Sequence, residues 1–143
     1  MIGITIEPAR PHDGPAVIDL LTASALPSEG ALDHLDTAVV ARRDGRVVAF
    51  AALEVYEDGA LLRSVAVADG ERGTGVGRAV VDAALDLAAR LGAAPVFLLT
   101  TTAERYFPRF GFTTVPRTEV PPGVLQSVEF RSLCPASSTV MRR

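Results

Sequence analysis

One stretch, LLRSVAVADGERGTGVGRAVVDAALDLAARL at residues 61–91, constrains the fold more than any other. Val65 and Val67 alternate with Ser64, Ala66 and Ala68, as in a half-buried strand, and Asp69 with Gly70 ends that strand. Gly73, Gly75 and Gly77 follow at alternate positions. Without a Cβ at those positions, successive backbone N–H groups can turn toward one point at the start of a helix. That arrangement is a cradle for phosphate. The helix is read from an apolar stripe of Val76, Val80, Ala83, Ala84, Leu87 and Leu91, with Arg78, Asp82, Asp86 and Arg90 facing away and Gly92 closing it.

Two nucleotide folds with similar cradles are disfavoured. A Walker loop needs Gly-Lys-Ser/Thr to reach the outer phosphates, and the chain contains no lysine. A dinucleotide fingerprint needs G-x-G-x-x-G and a later carboxylate; here the glycines read GTGVG and the next apolar run ends in Thr100, Thr101 and Thr102. With 143 residues, 48% of them hydrophobic, a single domain over 1–143 is expected. A net charge of -3 without a dense basic cluster argues against nucleic acid as a partner. No apolar run approaches bilayer length and MIGITIEPARP lacks a signal pattern, so a cytoplasmic protein without membrane association is expected. One cysteine, Cys134, and two histidines are too few soft ligands for a structural metal, and none is expected.

Along the chain, Ile2 to Glu7 alternates as a first strand. Asp13 is read as the N-cap of a helix burying Val17, Ile18, Leu20 and Leu21, and Ser28 as the cap of a short helix through Leu35. Thr37 to Arg42, the Asp44-Gly45 turn, Arg46 to Tyr56 and the Asp58-Gly59 turn into Ala60 to Ala68 make an antiparallel meander. Hairpins before the glycine loop disfavour a Rossmann order. PVFLL at 95–99 predicts a buried strand parallel to the one before the helix. Thr101 and Glu104 suggest a capping box for a short helix that Pro108 and Gly111 end. A strand from Phe112, a turn at Pro121 and Pro122, a last strand at Phe130 to Leu133 and a terminal helix or tail complete the expected order.

Arg72-x-x-Gly75-x-Gly77 after a V-x-V strand resembles the acetyl-CoA loop of the GNAT acetyltransferase superfamily. The resemblance implies an α/β (α+β) fold with a mixed, mostly antiparallel sheet and helices on both faces. It implies acetyl-CoA as co-substrate and a small-molecule amine as acceptor, and it allows a homodimer through the final strands. The amides of Arg72, Gly73, Thr74, Gly75, Val76, Gly77 and Arg78 would hold the pyrophosphate, helped by the guanidinium groups of Arg72 and Arg78. Val65, Ala66 and Val67 would pair with the pantetheine arm, with Val65 or its neighbour as the oxyanion donor.

The family pattern Asn-x-x-Ala-x-x-x-Tyr-x-x-x-Gly-Phe is met at Ala103, Gly111 and Phe112, while Thr100 replaces the Asn and Phe107 the Tyr. Phe107 would line the coenzyme site but cannot donate a proton. Tyr106 is the alternative acid, although one helical step of about 100° turns it elsewhere. Glu54, the one carboxylate in VVAFAALEVY, is read either as general base or as half of an edge ion pair with Arg63, in a register opposite Leu62. Arg63 and Ser64 are read as substrate-binding, Arg63 as an anchor for an anionic acceptor.

LLRSVAV, RGTGVG, FLLTTTAERYFPRFGF and especially SVEFRSLCPASSTVM are similar to the arsenic-resistance N-acetyltransferase branch of the superfamily. That branch is similar to phosphinothricin-type acetyltransferases, and the LTT…YF…GF segment also resembles the acetyltransferase domain of N-acetylglutamate synthases. The resemblance implies an amino-acid-like or acidic acceptor, with arsenic resistance as the finer expectation. Cys134 is read as a small apolar residue in preference to an arsenic ligand.

Overall fold

A computed structural model describes residues 3–133 and 137–143. The expectation for Cys134 therefore lies outside the described residues. The elements run β1 (Ile4–Pro8), α1 (Gly14–Ala23), β2 (Ala38–Arg43), β3 (Arg46–Tyr56), β4 (Gly59–Val67), α2 (Val76–Arg90), β5 (Val96–Thr100), β6 (Thr113–Thr114), α3 (Pro122–Leu125) and β7 (Thr139–Arg142). One seven-stranded sheet has the order β1-β2-β3-β4-β5-β7-β6. All its pairs are antiparallel except β4 with β5.

The unbroken apolar run of β3 is explained by helices on both sheet faces. Ala49, Ala51 and Leu53 pack with Val76, Val80, Val81, Ala84 and Leu85 of α2. The intervening Phe50 and Ala52 face Val17, Leu20 and Leu21 of α1. The buried stripe of α2 is rotated from the expected one: Val81, Leu85 and Ala88 belong to it, while Leu91 is half exposed. A stripe two residues wide per turn fits a helix laid flat across β1 to β4.

Asp13 occupies the N-cap of α1, yet its carboxylate makes no cap bond. It instead takes two hydrogen bonds from Arg42, at 2.8 and 2.7 Å, and one from the Arg10 amide at 2.8 Å. The Arg42 hydrogen bonds, then the Arg10 amide, hold the Asp13 carboxyl below its usual range against the opposing effect of burial. A lowered folded pKa means stability fully present above the unfolded value near 3.8 and lost as pH falls through the folded one. Asp13→Asn should therefore lower stability by about 2 kcal/mol at neutral pH. Urea midpoints of variant and parent should converge below the carboxylate range.

Four expected elements differ. Ser28 does not cap; Gly30, at φ 80°, precedes the 3-10 segment Ala31–Thr37. Thr101 and Glu104 form no helix, because the Thr100 hydroxyl accepts the Ala103 amide at 2.9 Å and makes a turn before the 3-10 segment Phe107–Phe110. Glu129–Leu133, expected to include the last strand, winds as a π-helical turn. The last strand is β7, which lies between β5 and β6.

Candidate active site

Strands β4 and β5 are hydrogen-bonded in register only at Ala60–Val96 and Leu61–Phe97. Beyond that point they diverge, and a cavity of about 550 Å³ opens between them. At the same level β4 carries a bulge: on β3 the register advances from Phe50 to Ala52 while on β4 it passes from Ala66 to Arg63. Ser64 absorbs the extra residue at φ 60°, a conformation that costs a non-glycine residue energy unless the surroundings impose it. The bulge lifts main-chain groups near Ser64 and Val65 out of the ladder. Arg63, Ser64, Val65, Ala66 and Val67 all line the cavity.

Below it lies the glycine loop. Gly73 and Gly75 take φ 81° and 88°, the left-handed region, and Gly75 is the N-cap of α2. The first amide to find a carbonyl a turn earlier is Ala79, which bonds to Gly75 at 3.1 Å. The amides of Val76, Gly77 and Arg78 belong to the helical turn that has no intrahelical acceptor. The Val76 side chain is fully buried in the core, so only its amide can serve a ligand. Arg72 and Arg78 are exposed and touch Asp69 and Asp82 at 3.3 and 3.8 Å, weak surface pairs that a phosphate could displace. Gly77 lines the cavity, and a Cβ there would meet Val67 Cγ2 at 3.1 Å and the Tyr106 hydroxyl at 3.5 Å. The missing side chain thus keeps a passage between strand, helix and tyrosine. These features fit a diphosphate with an extended arm running up β4.

The loop is fixed from behind. Glu71 accepts from Arg43 Nε at 2.6 Å and Nη2 at 3.0 Å, and the Glu71 carbonyl accepts the Thr74 hydroxyl at 2.6 Å. The Arg43 hydrogen bonds hold the Glu71 carboxyl below its usual range. Glu71→Gln should weaken binding of a diphosphate ligand at this loop about 3- to 10-fold, as one charge-assisted anchor is lost. Calorimetric titration with coenzyme A checks this.

Tyr106 and Phe107 both line the cavity. Tyr106, expected to turn away, is the N-cap of the 3-10 segment and lines the cavity beside Phe107. Their rings meet edge to face at 5.3 Å. Burial raises the Tyr106 pKa, keeping its hydroxyl protonated and able to donate.

Glu54 differs most from expectation. The two-residue turn Glu57–Asp58 sets Tyr56 opposite Gly59, so Glu54 lies opposite Leu61, not Leu62. It is 2% exposed and is not among the residues lining the main cavity. Arg63 Nη1 donates to it at 2.7 Å, the Tyr56 hydroxyl donates to it, and His34 Nε2 lies at 3.6 Å. The expected edge pair is thus a buried one. With His34 and Tyr56, Glu54 lines a separate polar cavity of about 280 Å³.

Arg63, expected as an anion anchor, lines the main cavity and is also engaged by the protein itself. Its Nε donates to Ser64 Oγ at 3.0 Å and lies 3.2 Å from Glu129, while Nη2 donates to the Glu29 carbonyl at 2.7 Å. Protein acceptors engage all three nitrogens. Glu129, which sequence reasoning missed, lines the main cavity. Its spacing from Arg63 carries no local signal, and the apolar setting of SVEFRSL reads as strand. Among the described residues no group of three or more His, Cys, Asp or Glu is placed to hold a metal ion.

A splayed parallel pair, a bulged strand at the fork and a glycine-opened helix start define an acyl-coenzyme transferase architecture. The chain belongs to the acetyltransferase (GNAT) family, whose model matches residues 8–112. It is 42% identical over 77 residues to the amino-acid acetyltransferase of Mycobacterium tuberculosis (strain ATCC 25618 / H37Rv), covering 53% of this chain and 44% of that protein. The match thus spans under half of that relative. Rv2747 from Mycobacterium tuberculosis, crystallised in complex with CoA and NLQ, superposes with a TM-score of 0.82 at 29% identity, over 96% of this chain and 97% of that one. N-acetylglutamate synthase from Neisseria gonorrhoeae, complexed with coenzyme A and N-acetyl-glutamate, shares the fold with a TM-score of 0.82 at 21% identity, over 98% of this chain and 34% of that one. Among the described residues no helix is long and apolar enough to cross a membrane.

Proposed function

We propose that the chain transfers the acetyl group of acetyl-CoA directly to the amino group of a small amino-acid-like acceptor. The observation that carries this reading is the parting of β4 and β5 beyond Leu61–Phe97 beside the Ser64 bulge, over a glycine-opened helix start. The amides from Gly73 to Arg78 receive the pyrophosphate, with Arg72 and Arg78 adding charge. Val65, Ala66 and Val67 align the pantetheine arm, and the Val65 amide faces the developing oxyanion. Tyr106 supplies a proton to the leaving thiolate, and Phe107 packs against the thioester end. The acceptor class is supported by the amino-acid acetyltransferase likeness.

The finer reading, an arsenical acceptor, rests on the resemblance of SVEFRSLCPASSTVM and enters the test as a competing substrate class. Thiol release from acetyl-CoA should be screened over amino acids, glutamate-like amines and organoarsenicals. Acceptor-dependent release with an amino acid is expected. Release with arsenicals alone would move the acceptor class. Coenzyme binding without release for any amine would favour a coenzyme-binding module that does no catalysis.

A further inference from the structure

We infer that the Ser64 hydroxyl donates a hydrogen bond to the thioester carbonyl oxygen as that oxygen becomes an alkoxide, an inference resting on the acetyl-transfer reading. Ser64 is 8% exposed, lines the main cavity and holds φ 60° in the bulge where β4 leaves the ladder. A non-glycine residue keeps that conformation only where its surroundings fix it. Here the fixing group is identifiable.

Arg63 Nε donates to Ser64 Oγ at 3.0 Å and also lies 3.2 Å from Glu129. The other two nitrogens of the guanidinium donate to Glu54 and to the Glu29 carbonyl, each at 2.7 Å, so the donor to Ser64 is itself held in place. A serine hydroxyl has one hydrogen to give and two lone pairs with which to accept. Among the described residues Arg63 is the one hydrogen-bond partner of Ser64 Oγ, and it occupies a lone pair, which directs the hydroxyl hydrogen away from Arg63. Accepting from a cation also polarises the O–H bond and strengthens what it donates. Oγ and the Val65 nitrogen both hang from Ser64, one through its Cβ and the other through its carbonyl carbon. The two donors therefore share the bulge where the thioester carbonyl is proposed to lie, and an oxyanion accepts from more than one donor.

The chemistry balances. The lone pair of the neutral amine attacks the carbonyl carbon, the C–N bond forms, and the C=O π pair moves onto oxygen. Ser64 keeps its proton and shares it with that oxygen. The pair then returns, the C–S bond breaks, and the nitrogen loses a proton as the thiolate gains one.

The test compares acetyl-CoA with its dithioester analogue, in which sulfur replaces the carbonyl oxygen and accepts hydrogen bonds poorly, using an amino acid that the parent acetylates. Ser64→Ala removes the hydroxyl, and Ser64→Gly removes it while also relieving the strain of φ 60°. Both should lower kcat with acetyl-CoA about 100-fold and with the dithioester only a few-fold. Coenzyme A affinity should stay within a factor of a few. Parental kcat in Ser64→Gly, equal losses with the two thioesters, or a loss carried by coenzyme A affinity instead of kcat would each overturn the inference. Should Ser64→Ala fail to fold, Ser64→Gly decides alone, because its backbone is the less strained. If the parent protein releases no thiol with any amine, the acetyl-transfer reading itself falls.

Discussion

Arg63→Met is expected to destabilise the fold by about 3–5 kcal/mol, the largest single-residue loss of charge that the interior offers. Methionine fills similar space, so cavity formation contributes little. What remains are the carboxylates of Glu54 and Glu129, each buried and deprived of the cation that both face. The Glu29 carbonyl and Ser64 Oγ lose their donor as well. Double replacement, Arg63→Met with Glu54→Met, should be less damaging than the sum of the two single changes, because the second removes an orphan that the first creates. Urea denaturation of the four proteins in this cycle measures the coupling. Additive losses would mean that the cluster is solvated and its charges act independently.

The cluster also explains why part of the site was legible in the sequence and part was not. The strand, glycine loop and helix of residues 61–91 carry their information locally: alternation, missing Cβ atoms and a helical stripe are all within a few residues of one another. The strand, the glycine loop and the helix it opens could therefore be read directly. The buried cluster around Arg63 is assembled from residues far apart in the chain. Glu129 meets Arg63 across 66 positions, and Glu54 approaches it from the neighbouring strand. One misplaced residue in a two-residue turn shifts Glu54 from Leu61 to Leu62, and strand register carries the error along the pair.

The C-terminal part shows the same limit. Phe130 and Leu133 resemble a strand by hydrophobicity, but the Ser127 hydroxyl accepts the Phe130 amide at 3.3 Å, and the Arg131 amide reaches the Ser127 carbonyl at 3.0 Å, winding the segment into a turn. Thr139–Arg142 looks too short and polar for a central position. It becomes a strand because β5 and β6 supply pairing on both edges. Tertiary pairing overrides a weak local preference there. Tyr106 repeats the pattern on a smaller scale: the hydroxyl of Thr100 claims the Ala103 amide, a turn replaces the expected helix, and Tyr106 lines the cavity together with Phe107.

Gly77→Leu should reduce coenzyme A affinity by at least about 100-fold, or about 2.7 kcal/mol, while costing far less in folding. Even a Cβ at this position would approach Val67 Cγ2 at 3.1 Å and the Tyr106 hydroxyl at 3.5 Å, so a branched side chain must occupy the passage between them. Gly75→Ala separates space from backbone conformation. Nothing lies within 4 Å of its added methyl, but φ 88° opposes any side chain by about 1–2 kcal/mol. Relief of that strain would rotate the cap away from its present geometry and with it the amides of Val76, Gly77 and Arg78. Gly75→Ala should accordingly lose affinity moderately, whereas Gly77→Leu should abolish saturable binding in the working concentration range. Calorimetric titration, with thermal denaturation as the folding control, distinguishes the two. Undiminished affinity in folded Gly77→Leu would place the pyrophosphate and pantetheine elsewhere, because no occupant can share a passage that the leucine fills.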